Sequence, residues 1–154
     1  MFSLKKVLVV CLLISSVYGE DVMPKALVQK AGNVMNAFVK NMQEHTYKES
    51  AKMIVPLMHK SLLSSDQKSL DDDTYRYSFK KAHMNAKNYS YPIVITRIQK
   101  LRTTEIGYGA THEKGVEYKL WIAKNKSSQG LPAPLVVFFN EGSQDAKLSY
   151  VGSL

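Results

Sequence analysis

The sequence predicts an α+β fold, with three N-terminal helices packed on an antiparallel sheet of about four or five strands. Three observations predict it. Up to about residue 87, apolar residues recur at spacings of three and four. From Ile93 onward, β-branched runs and strict alternation take over. Each helical pattern is too short to stand alone in water, so its apolar face needs the sheet.

The first helix is expected to begin near Pro24, since proline is accepted in a first turn. Leu27, Ala31, Val34, Met35, Phe38 and Met42 fall on one face, while Lys25, Gln29, Asn33, Asn36 and Lys40 fall mostly elsewhere. Thr46-Tyr47-Lys48-Glu49 reads as a capping box opening a second helix. Its buried stripe is Ala51, Ile54, Val55 and Met58, and Pro56 ends or kinks it by removing a donor. Residues 61–67 read as a loop. A third helix is expected from about Leu70, with Ser69 as its cap. Asp71, Asp72 and Asp73 sit at its positive end, and Lys80, Lys81, His83 and Lys87 at its negative end. Helix-start chemistry is preferred over a metal cluster for the three acids, because consecutive helical residues do not face each other. Residues 88–92 break the helix.

Residues 93–98 read as the first strand. Ile106, Tyr108 and Ala110 alternate with Gly107 and Gly109 as a weaker second strand, and residues 112–115 read as its hairpin turn. In the third strand Val116, Tyr118, Leu120 and Ile122 point one way, and Glu117, Lys119, Trp121 and Ala123 the other. Residues 124–134 are a loop. Residues 135–139 are a strand apolar on both faces, and residues 146–151 a last strand. Apolar area on both sheet faces needs a cover, either the chain's own loops or another subunit. A homodimer through the outer face, with Trp121 and Phe138 buried between subunits, is the expectation drawn from it.

The start of the chain reads as a cleavable signal peptide over residues 1–19. Lys5 and Lys6 are charged, residues 7–14 are apolar, and Val17-Tyr18-Gly19 suits a signal peptidase. The apolar run is shorter than the about 20 residues of a membrane span. Residues 20–154 then form a single exported domain, periplasmic or secreted, without transmembrane segment. Cys11, the single cysteine, leaves with the leader, so no disulfide or thiol ligand is expected. With 45% hydrophobic and 22% charged residues the composition is globular. The net charge of +8 is dispersed along the chain rather than gathered in a stripe with interleaved aromatics, which argues against nucleic acid.

The helix order and the final meander resemble the nuclear transport factor 2-like superfamily, the cone-shaped α+β fold shared with SnoaL-like proteins. Residues 26–42 resemble its long first helix, and residues 47–56 its second helix with a proline exit. The strands at 116–123 and 135–139, with the closing 147–153, resemble its bent sheet. The resemblance implies a pocket between a curved sheet and the helices, with dimerisation on the outer face. The superfamily includes isomerases, dehydratases and hydrolases, and also non-enzymatic parts of secretion assemblies, so fold alone does not choose a function.

The histidines His45, His59, His83 and His112 share no metal-ligand spacing, so no metal or cofactor is expected. No G-x-S-x-G elbow marks a serine nucleophile, and Gly107-Tyr108-Gly109 opens no helix for a phosphate. His112 is the strongest candidate: on strand phase it shares a face with Tyr108, and with Tyr118 the three form a candidate ligand site. A histidine beside tyrosine suits a general base near neutral pH. The leading expectation is a non-enzymatic exported module that binds a small ligand or joins an envelope assembly. The rival is a cofactor-free isomerase, dehydratase or hydrolase centred on His112 and Tyr108. A purely structural dimer is the third.

Overall fold

The computed structural model describes residues 22–154. The signal peptide expected over residues 1–19 lies outside them. Helix α1 runs Lys25–Glu44 with Pro24 at its cap. The apolar stripe is wider than expected: Val28, Ala31, Met35, Phe38, Val39 and Met42 are all buried. Asn36, expected on the polar side, is buried as well, and its Oδ1 accepts the Ile93 N–H at 2.8 Å. Helix α2, Tyr47–Met53, starts on the expected capping box: Thr46 Oγ1 accepts the Glu49 N–H, and the Glu49 carboxylate accepts the Thr46 N–H at 3.1 Å. Pro56 sits in a 3₁₀ turn, Val55–Leu57, that ends the segment.

The third helical segment starts at Asp71 rather than Ser69. The Asp71 carboxylate accepts the Thr74 N–H at 3.0 Å and the Thr74 hydroxyl at 2.6 Å. Ser69 instead turns back, its N–H and hydroxyl meeting Ser64 Oγ, and Leu70 bridges to Leu63. Asp71 is therefore the cap of this segment, while Ser69 is committed to Ser64. Thr74–Phe79 is π-helical, and helix α3 continues through Lys80–Asn85.

Four strands follow: β1 Ile95–Ile106, β2 Glu113–Ile122, β3 Ala133–Asn140 and β4 Ala146–Tyr150. They form an antiparallel sheet in the order β1-β2-β3-β4. The strand expected at 93–98 therefore continues to Ile106, and residues 107–110, expected as a second strand, are turn. Residues 99–105 are mostly polar and read as a break, but β1 is an edge, where charged side chains are tolerated and useful. The turn lies at 107–112 rather than 112–115, on a 3₁₀ turn at Gly109–Thr111. Beyond β4, Met58 adds a single parallel bridge to Leu148, and the His59 N–H donates to Leu148 O at 2.8 Å.

One hydrophobic cluster joins helices and sheet. Met35, Phe38, Phe79 and Ala82 meet Leu120, Ile122, Leu135, Val137, Phe139 and Leu148. These strand residues alternate in phase, so the opposite face carries Glu117, Lys119, Trp121, Val136 and Phe138. On that outer face Phe138 is 1% exposed within the single chain. The His59 ring packs edge-on against it at 5.1 Å. The expectation that a second subunit buries Phe138 is corrected: the segment after α2 covers it. Trp121 is half-buried on the same face, with Arg97 at 4.5 Å and Lys119 at 5.2 Å from its ring.

Candidate functional site

The three residues expected to line a ligand site do not gather. Tyr108 is 93% exposed in the β1–β2 turn, where its backbone is tied to Thr111 Oγ1. His112 stands beside it but points to Glu105, at 3.1 Å, on the exposed end of the sheet. That hydrogen bond, followed by the one from Lys114, holds the Glu105 carboxyl below its usual range. Tyr118 is buried in the core, edge-on to Phe139. The strand phase used to group them fails because residues 107–112 are turn, not strand.

A cleft of about 360 Å³ opens instead on the outer face of the sheet. Val55, Met58 and Phe138 supply apolar wall, and His59, Glu113 and Lys147 supply polar groups. His59 is placed by the bridge that lays residues 58 and 59 along β4, so its ring reaches over Phe138 to the start of β2. There His59 Nε2 lies 2.6 Å from Glu113 Oε2. Lys60 Nζ and Asn140 Nδ2 each stand 3.4 Å from the other carboxylate oxygen. Lys147 Nζ donates to Pro56 O at 2.6 Å across the rim.

The protons of His59 can be placed. The Ser61 N–H donates to Nδ1 at 3.1 Å, so Nδ1 carries the lone pair. Nε2 therefore carries the proton and donates it to Glu113. Ser61 Oγ is also 2.8 Å from Nδ1 and, with that lone pair in place, donates to it. Burial pushes the His59 pKa below its ordinary value, and the Glu113 hydrogen bond and charge oppose this more weakly. The ring is neutral at neutral pH. The arrangement is a Ser61–His59–Glu113 chain, with an exposed hydroxyl at one end and a half-buried carboxylate at the other.

In the sequence His59 is one of four histidines that share no metal-ligand spacing, and nothing there sets it apart. Its partner Glu113 is 54 residues away and comes into reach only when β2 pairs with β3. The local signal was slight: a histidine followed two residues later by serine, just after a proline exit. Among the described residues no three His, Cys, Asp or Glu side chains converge as metal ligands. No helix among them is long and apolar enough to cross a membrane. Scans of the chain against protein-family models, curated proteins and solved structures find no match.

Proposed function

We propose that this chain is a small exported domain that binds a small polar ligand in the outer-face cleft. The observation that carries the reading is the pairing of the buried His59 ring with the half-buried Glu113 carboxylate at the cleft wall. Such a pair costs desolvation that an apolar filling would avoid, and concave sites with a few convergent polar groups are where that cost serves recognition. Lys60 and Lys147 add positive charge against Glu113 and Asp145, so the cleft suits a ligand bearing both charge signs. Support for the nuclear transport factor 2-like reading is the element order, helices first and an antiparallel meander last.

Native mass spectrometry of the protein from its own compartment tests the binding. A co-purified small molecule is expected, with occupancy reduced at least tenfold in Lys147→Ala. An empty wild-type chain overturns the reading. Sequencing the N-terminus of the same sample tests export: a start at Glu20 is expected, and an unprocessed chain rejects it.

Assembly through the outer face is a second reading, now carried by Trp121 with Arg97 and Lys119 rather than by Phe138. Trp121→Glu is expected to turn a dimer into monomers in sedimentation velocity. A dimer unchanged by that substitution rejects this interface.

A further inference from the structure

The geometry points to Ser61 as a nucleophile, activated by His59 and able to take an acyl or phosphonyl group from an activated ester. This goes beyond ligand binding in the cleft and does not depend on it. The diagnostic arrangement for an activated hydroxyl is a nucleophile bonded to a base that a third group orients. Here Ser61 Oγ is 2.8 Å from Nδ1, and Glu113 is 2.6 Å from Nε2. A capping role for His59 on the turn Lys60–Leu62 accounts for the Ser61 N–H bond to Nδ1. It does not account for a carboxylate on the other nitrogen of a ring that is 1% exposed. Ser61 itself is exposed, so an electrophile reaches it from solvent.

The step balances without a co-reactant. Ser61 Oγ attacks the acyl carbon while its proton passes to His59 Nδ1. The Glu113 carboxylate faces the imidazolium through the Nε2–H. The bond to the leaving group breaks, and His59 returns the proton to it, giving an acyl-serine and an alcohol. Water attacking the acyl-serine would release the acid and restore the hydroxyl. The neighbouring amides are engaged, Leu62 N–H with His59 O at 2.9 Å and Leu63 N–H with Lys60 O at 3.2 Å. Neither is left to stabilise an oxyanion, and both half-reactions pass through one, so acylation and deacylation are both expected to be slow.

The test is labelling of the folded protein with a fluorophosphonate, which forms a serine–phosphorus bond and releases fluoride, followed by peptide mapping by mass. Ser65 is exposed four residues away and serves as an internal control within the same chain. Ser61 is expected to label at least a hundredfold faster than Ser65, the scale of general-base assistance. The rate rises with pH as His59 loses its proton, and the difference vanishes in urea. His59→Gln removes the advantage. Glu113→Gln moves the midpoint of the pH profile down, a change that a merely structural role would not produce. Equal labelling of Ser61 and Ser65 in the folded wild-type chain, or no label at Ser61, overturns the assignment.

Discussion

Asn36 shows how one polar side chain can tie two layers together. It sits on the buried stripe of α1, and its carbonyl oxygen accepts the backbone N–H of Ile93, just ahead of β1. Truncation leaves that amide without a partner in a dry site. Asn36→Ala is therefore expected to destabilise by about 1–3 kcal/mol in urea unfolding. Gly115 carries a different constraint. A Cβ there would lie 2.1 Å from Phe139 O and 2.6 Å from the Phe138 ring. Gly115→Ala must push backbone aside and is expected to cost about 1–3 kcal/mol by the same measurement. Neither role was visible in the one-dimensional pattern. Asn36 lies at the margin of an apolar stripe, and Gly115 reads as a turn residue until the ring of Phe138 is placed over it.

At the scale of elements, local chemistry was legible wherever it is self-contained. The Thr46–Glu49 box closes on itself within four residues, so its sequence signature and its geometry agree. Thr46→Ala is expected to cost about 1 kcal/mol in thermal unfolding. The third helix separates two candidate caps. Asp71→Ala is expected to lose about 1 kcal/mol and Ser69→Ala less, because only Asp71 holds Thr74. A larger loss at Ser69 would restore it as the cap. Strand β1 was ended early for a general reason. Alternation reports a strand with one dry face, and the middle of an edge strand has little dry face to report. The glycines at 107 and 109 then read as part of a strand, although Gly107 and Gly109 have φ of 81° and 54°, values that turn the chain.

At the scale of the whole molecule, the His59 environment links stability to pH. Its folded pKa lies below the unfolded value of about 6.5, with burial the largest cause. The unfolded chain therefore takes up the proton first as pH falls. The His59 contribution is complete above that value and is lost as pH falls through it toward the folded pKa. The urea midpoint is expected to drop between pH 8 and pH 5.5, and to drop less in His59→Gln. An equal drop in both would show that His59 is not the group responsible. The carboxyls of Glu49, Asp66 and Glu105 are held low by hydrogen bonds. Their contributions fade only further down, in the ordinary carboxylate range.

By itself the sequence determined the segregation of helices and strands, the main apolar faces and the start of the second helix. Those features depend on spacing and on groups a few residues apart, so they are written locally. The tertiary structure decided where the cleft lies, that Phe138 is covered by the chain's own His59 segment, and that Tyr108, His112 and Tyr118 stay apart. It also decided that His59, with Ser61 on one nitrogen two residues away, meets Glu113 on the other. The physical reason is that a side chain's partners are set by strand register and by which face a crossing segment covers. Both are long-range choices, made by burying the shared core, and periodicity along the chain does not record them.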